Sequence, residues 1–184
     1  MVERCMPIIN WQNLKIGRVC NMNYHNITKC DMLNGDGIRV VLWVSGCKCH
    51  CPECQNPETW DLNSGILFDN EAKNELFEAL DNDYIKGLTL SGGHPLESEN
   101  LSTMCEICKE FKNKFPTKDI WLYTGYNWED ILNWEIIKYI DVLVDGRYIK
   151  DQRNVDLKWR GSSNQRVINA QESLKQNKVV LYCD

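Results

Sequence analysis

The sequence lacks any apolar run long enough to span a bilayer, and its first residues hold no uninterrupted apolar stretch of the signal-peptide kind. It also lacks an excess of basic residues, since 21 Lys and Arg stand against 26 Asp and Glu, a net charge of −5. That balance leaves no electrostatic footprint for nucleic acid. We therefore expect a cytoplasmic protein that binds neither nucleic acid nor a membrane.

Internal repeats and low-complexity segments are absent too, and 184 residues with 43% hydrophobic content suit one substantial core. With no export signal and ample apolar residues, the ten cysteines favour thiols or metal ligands over a disulfide scaffold. Cys105 and Cys108 form a C-x2-C pair, but they continue the helical stripe of Leu101, Met104 and Phe111. We predict that these two thiols are buried in the core.

Three other cysteines, Cys47, Cys51 and Cys54, are spaced as C-x3-C-x2-C. A closed zinc site needs four ligands, whereas three thiolates on one loop can hold a [4Fe–4S] cube and leave its fourth iron open. An open iron can be chelated by the amino and carboxylate groups of S-adenosylmethionine. The spacing therefore predicts one [4Fe–4S] cluster, with these cysteines as its ligands, and S-adenosylmethionine as a second cofactor.

Apolar patterning predicts strands that alternate with helices. Strands are expected at residues 38–44, 88–90, 120–124 and 142–144, and a short final strand at 179–182. Helices are expected from the capping residue Asp69, around Cys105, and from Trp128 to Ile140. The order β-α-β-α-β-α-β predicts an α/β fold with a mainly parallel sheet and right-handed crossovers.

In such a sheet the carboxyl ends of the strands lie at one edge, where ligands bind. Four segments follow strands in this way: the cysteine loop, Gly92-Gly93, Thr124-Gly125 and Asp145-Gly146. We expect them to form one site.

Taken together, these motifs resemble those of a known family. The segments that carry the resemblance are Met22-Asn23-Tyr24-His25, Asn34 to Arg39, the cysteine loop through Asn56, Thr59-Trp60, Leu90 to Gly93, Asp119 to Trp121, Thr124 to Tyr126, Val144 to Gly146, and Trp159 to Gln165. The chain resembles the activating proteins of anaerobic ribonucleoside-triphosphate reductase, which are radical S-adenosylmethionine enzymes. The resemblance implies an abbreviated, partial (β/α) barrel. Because family members commonly begin near Met22, it also implies one domain at 22–184 and an N-terminal extension at 1–21.

The resemblance further implies an activity and two partners. A reduced cluster would cleave S-adenosylmethionine, and the resulting 5′-deoxyadenosyl radical would abstract hydrogen from a glycine of the reductase large subunit. A flavodoxin-like protein would supply the electron. The implied metal ligands are Cys47, Cys51 and Cys54, and the implied cofactor-binding residues are Glu53, Cys54, Gln55, Gly92, Gly93, His94, Thr124, Asp145 and Arg147.

One residue departs from the family pattern, because His94 stands where an Asp or Glu usually follows the two glycines. A carboxylate can pair with the cofactor's amino group, whereas a histidine offers at best a neutral acceptor. We therefore expect cofactor binding that persists but is weakened.

Three alternatives stay open from the sequence. The same radical chemistry can be aimed at a small molecule or another peptide. The cysteine loop can instead form a zinc-binding interaction module from Cys47, Cys49, Cys51, Cys54 or His50, although cysteines one residue apart wrap a tetrahedral ion poorly. The substitution at His94 is also compatible with an enzyme that has lost activity. If the loop instead holds a [4Fe–4S] cluster, we expect Cys49 and His50 to face solvent or to lie behind the ligands.

Overall fold

A computed structural model of the protein describes residues 22–183, so the predicted extension at 1–21 lies outside the described residues. The strands are β1 (Asn23–Asp31), β2 (Arg39–Val44), β3 (Ile66–Leu67), β4 (Gly87–Gly92), β5 (Asp119–Tyr123), β6 (Val142–Asp145), β7 (Arg166–Asn169) and β8 (Leu181–Cys183). The helices are α1 (Asn70–Leu80), α2 (Leu101–Lys114), α3 (Trp128–Ile131) and α4 (Ala170–Gln176). All eight strands form one sheet in the order β3-β1-β2-β4-β5-β6-β7-β8.

The sheet is mixed rather than mainly parallel, which corrects the prediction from the sequence. The central strands β2, β4, β5 and β6 form three parallel pairings, whereas the four outer pairings are antiparallel. The β-α-β alternation describes only the centre of the sheet. The outer strand β1 was not predicted because polar residues dominate it, and β7 was not predicted because only two of its residues, Val167 and Ile168, are apolar.

Alternating residues of the central strands face two different environments. Leu88 and Leu90 of β4 join the main hydrophobic core, which α1 and α2 also line. Thr89 and Ser91, between and beyond them, point to the opposite face. On that face Trp121 packs with Val142 and Val144 in a second, smaller cluster. The central strands therefore have a helix-covered face and an inner face that leads to the site.

The predicted cap of α1 and the burial of Cys108 in α2 are confirmed, whereas Cys105 is only partly buried. The Asp69 carboxylate accepts the Ala72 N–H at 2.9 Å and caps α1, whose buried face includes the predicted Leu76. In α2, Cys108 is fully buried in the core and Cys105 is half-buried against it. Burial raises the pKa of Cys105 to about 12, so it behaves as a packing residue rather than as a reactive thiol.

A continuous helix from Trp128 to Ile140 is not found. The segment divides into α3 and a 3₁₀ helix at Glu135–Tyr139, with Trp134 in an extended conformation between them. The apolar residues Ile131 and Ile136 are five positions apart, which a straight helix cannot place on one face. The final strand is also shifted, from the predicted 179–182 to Leu181–Cys183. None of the helices within residues 22–183 is long and apolar enough to cross a membrane.

Candidate functional site

A cavity of about 480 Å³ opens at the carboxyl ends of β2, β4, β5 and β6. The predicted site residues that line it are Cys47, Cys51, Glu53, Cys54, Gln55, Gly92, Gly93, His94, Thr124 and Arg147. Asp145 alone among the predicted residues does not line it. Parallel strands thus bring segments more than a hundred residues apart into one pocket.

The cysteine loop leaves β2 through Gly46, whose φ of +92° favours glycine. The Gly46 N–H donates to the Thr59 carbonyl at 2.7 Å, and the Cys47 N–H donates to the Trp60 carbonyl at 3.0 Å. Backbone bonds therefore anchor the start of the loop to the segment that follows it. Further along, His50 and Glu53 also have positive φ, which curls the loop over the cavity.

The three predicted ligands, Cys47, Cys51 and Cys54, are free, half-buried thiols at this cavity. The Asn56 N–H donates a hydrogen bond to the Cys54 sulfur, with 3.4 Å between nitrogen and sulfur. A hydrogen bond from the Cys49 side chain lowers the pKa of Cys47 to about 6, against the opposite effect of burial. A thiolate at neutral pH is the form that binds metal.

No group of three or more Cys, His, Asp or Glu side chains within residues 22–183 converges as the ligands of a single ion would. A cubane cluster makes a different demand, because each thiolate binds a different iron atom. Three free thiols that line one cavity are a donor set of the kind that such a cluster uses.

Of the two positions predicted for Cys49, the structure favours the one beside a ligand over the one in solvent. It lines the cavity and is hydrogen-bonded to Cys47, which together with burial raises the pKa of Cys49. A Cβ atom at Gly125 would approach the Cys49 sulfur to 2.7 Å, so the glycine makes room for this thiol. By contrast, His50 is exposed and packs on Trp60 with their ring centroids 4.7 Å apart, as its predicted outward position requires.

The two glycines at the end of β4 permit close backbone contact with the end of β2 and with the start of the cysteine loop. A Cβ at Gly93 would lie 2.6 Å from the Gly46 carbonyl oxygen and 2.9 Å from that of Thr59. Gly92 has a φ of +103°, and its Cβ would collide with the backbone of Val44. A side chain at Gly93 would therefore displace the start of the loop that carries the thiols, and one at Gly92 would displace the end of β2.

His94 is buried, with 2% of its surface exposed, and both ring nitrogens have partners. Its Nε2 lies 2.7 Å from the Thr124 Oγ1, and its Nδ1 lies 3.3 Å from a carboxylate oxygen of Glu97. Thr124 also accepts the Tyr126 N–H at 3.1 Å. His94 is thus the middle member of a buried chain that ends at Thr124, on the cavity wall.

Glu97 was missed by sequence reasoning, although it stands only three residues after His94. It is buried, and it accepts the Lys48 N–H at 2.8 Å. Burial alone would raise the pKa of Glu97, but hydrogen bonds from His94 and from the Lys48 N–H outweigh it and hold the pKa below its usual range. An ionised Glu97 places the imidazole hydrogen on Nδ1, which leaves Nε2 to accept the Thr124 hydroxyl.

Asp145 and Arg147, expected to act together at the cofactor, point to different places. The buried Asp145 pairs with Arg166 at 2.5 Å and accepts the Trp128 N–H at 2.9 Å, where α3 begins. Arg147 instead donates to the Cys49 carbonyl and is hydrogen-bonded to the side chain of Cys51. Asp145 therefore stabilises the fold below the cavity, and Arg147 holds the cysteine loop.

Comparison with known proteins agrees with this geometry. A family model described as "4Fe-4S single cluster domain" matches residues 33–168. An anaerobic ribonucleoside-triphosphate reductase-activating protein of Enterobacteria phage T4 is 47% identical over 79% of this chain and 93% of its own length. The proteins of the same name from Vibrio cholerae serotype O1 and Escherichia coli strain K12 are 43% and 39% identical over 78% of this chain and 96% of theirs.

The chain belongs to the family of anaerobic ribonucleoside-triphosphate reductase-activating proteins. The resemblance that the motifs suggested is therefore confirmed, and with it an iron–sulfur domain in this activating protein. The matched region contains the whole cysteine loop and every strand that borders the cavity.

Proposed function

We propose that this activating protein is a radical S-adenosylmethionine enzyme that installs a glycyl radical on the large subunit of anaerobic ribonucleoside-triphosphate reductase. Cys47, Cys51 and Cys54 would hold a [4Fe–4S] cluster. When bound, the cluster would supply one electron for cleavage of S-adenosylmethionine to methionine and a 5′-deoxyadenosyl radical. The observation that carries this proposal is the meeting of three free thiols and Gly92-Gly93 in one cavity of a chain from this family.

The residues around the cavity divide into two roles. The loop residues Glu53 and Gln55 would contact the cofactor through backbone groups beside Cys54. Gly93 brings the end of β4 against the cysteine loop, which leaves its backbone polar groups at the cavity wall. On that wall Thr124, backed by His94, offers an acceptor to the cofactor's ammonium group.

The architecture is compatible with a partial (β/α) barrel of the radical S-adenosylmethionine type. Its support is the parallel centre of the sheet, with helices over one face and the cavity at the carboxyl edge. We also propose that residues 22–184 form a single domain, that 1–21 are an extension, that a flavodoxin-like protein is the reductant, and that the protein acts in the cytoplasm.

The test is production of 5′-deoxyadenosine by anaerobically reconstituted protein with S-adenosylmethionine and dithionite. Cys54→Ala should abolish the product, whereas Cys30→Ala, which removes an exposed thiol that does not line the cavity, should not. Adding reductase should then give the electron paramagnetic resonance signal of a glycyl radical. Stoichiometric zinc without iron or sulfide would contradict the proposal, and deoxyadenosine without a glycyl radical would favour another substrate.

A further inference from the structure

Two loops that contribute to the cavity lining carry the most exposed large apolar side chains of residues 22–183. In the β1–β2 loop Leu33 and Met32 are 81% and 72% exposed, and in the β6–β7 loop Val155 is 74% exposed. Leu33 lines the cavity, as does Leu157 from the second loop. These four residues, here called the apolar rim, are therefore continuous with the proposed active site.

Both loops are ordered by hydrogen bonds rather than by packing of these side chains. The Asp31 carboxylate accepts the N–H groups of Leu33 and Asn34 at 2.8 and 2.7 Å. In the second loop the Asn154 side chain accepts the Asp156 N–H at 2.9 Å, next to Val155. Apolar groups that are held in place before binding lose less entropy when a partner covers them.

The second loop is also the most basic part of this acidic chain. Residues 147–160 contain five basic and two acidic side chains, a net charge of +3, whereas the chain as a whole has −5. Lys150 pairs with Glu53, but within the described part of the chain neither Arg153 nor Lys158 has an acidic partner. Both of these side chains are exposed beside the rim. A second copy would bring two such basic loops together, which like-charge repulsion disfavours.

We propose that the apolar rim, with Arg153 and Lys158, docks the glycine-bearing segment of the reductase. This inference rests on the proposed function. The segment is extended, with apolar side chains that cover the rim and acidic side chains that meet the two cations. A glycine fits the mouth of the cavity because it lacks a side chain that would keep its backbone away from the wall. Charge complementarity then selects the register in which that glycine faces the cavity.

The experiment compares the double variant Met32→Ser/Val155→Ser with the control Tyr84→Ser. Neither rim residue chosen lines the cavity, and Tyr84, in the loop before β4, is 59% exposed and does not line it either. Anoxic biolayer interferometry should show at least a tenfold loss of affinity for the cognate reductase in the double variant and less than a twofold change in the control. Deoxyadenosine formation without reductase should be equal in all three proteins.

A charge pair of variants tests the electrostatic part. Lys158→Glu should weaken reductase binding and reduce its salt dependence, whereas Lys178→Glu, the same change at an exposed site after α4, should do neither. Equal affinities in rim and control variants would overturn the proposal. So would a change that appears only in self-association by sedimentation, because the rim would then bind a second copy. Absence of deoxyadenosine from the native chain would refute the proposed function instead, and the affinities would still decide the docking surface.

Discussion

Replacing Glu97 by Gln should weaken binding of S-adenosylmethionine about tenfold. The substitution keeps the shape of the side chain and an oxygen for the Lys48 N–H. It removes the charge behind His94 and, with it, a pair at 3.4 Å with the exposed Lys48 ammonium group, which keeps its second partner, Glu99. A hydrogen bond to a charged group contributes about 1.5–3 kcal/mol. Because this charge reaches Thr124 only through the imidazole, we take a value just below that range, about 1.4 kcal/mol or one factor of ten.

The assay is anoxic equilibrium dialysis of S-adenosylmethionine against four cluster-loaded proteins: the native chain, Glu97→Gln, His94→Asp and the double variant. An Asp at position 94 carries its own charge and no longer needs one from Glu97. In the His94→Asp protein, Glu97→Gln should change the affinity for S-adenosylmethionine less than twofold. It should also remove the repulsion between the carboxylates at positions 94 and 97. Thermal unfolding of each variant controls for loss of structure.

An equal loss of affinity in the two backgrounds would refute this reasoning, because Glu97 would then act only through the fold. A second readout needs no cofactor. In the native chain the ¹⁵N chemical shifts of the His94 ring should show hydrogen on Nδ1, and Glu97→Gln should weaken that preference. A ring that carries its hydrogen on Nε2 in the native chain would also contradict the assignment.

Three further predictions concern the surroundings of the site. Gly125→Ala should impair cluster loading because its Cβ would lie 2.7 Å from the Cys49 sulfur, and adding Cys49→Ala should restore loading as measured by iron content. Asp145→Asn should lower the free energy of unfolding, measured in guanidinium chloride, by about 1–2 kcal/mol because the ion pair with Arg166 is lost, and it should leave cofactor affinity unchanged. Weaker cofactor binding with unchanged stability would instead place Asp145 at the cofactor. The pKa of Glu97 lies below its ordinary 4.5, so the stability that this group contributes is complete above pH 4.5 and is lost as the pH falls through the lowered pKa. Glu97→Gln should therefore make the Tm fall less steeply in acid than it does in the native chain. Parallel declines of Tm in the two proteins would contradict this.

The centre of the fold was predictable because local pattern and global structure agree there. Strands such as β2 are apolar along nearly their whole length, which is typical of parallel strands buried on both faces. The outer strands carry no such signal. β1 mixes buried and exposed residues and pairs antiparallel with both neighbours, β2 and β3. Strand direction at the sheet edges depends on loop geometry and tertiary packing, which short-range apolar patterns do not encode.

The candidate site shows the same division between motif and tertiary contact. The cysteine spacing and the strand-end glycines identify the cavity because their chemistry is written in consecutive residues. The hydrogen bond between His94 and Glu97 cannot be recognised in the sequence, since it depends on a turn of the chain that also brings the Lys48 N–H to the same carboxylate. Taken alone, histidine in place of an acidic residue suggests a weakened or inactive site. The structure places a buried carboxylate one hydrogen bond behind the imidazole, and we propose that position 97 supplies the negative charge that position 94 lacks. Substitutions at this position should therefore be interpreted together with the residue at position 97.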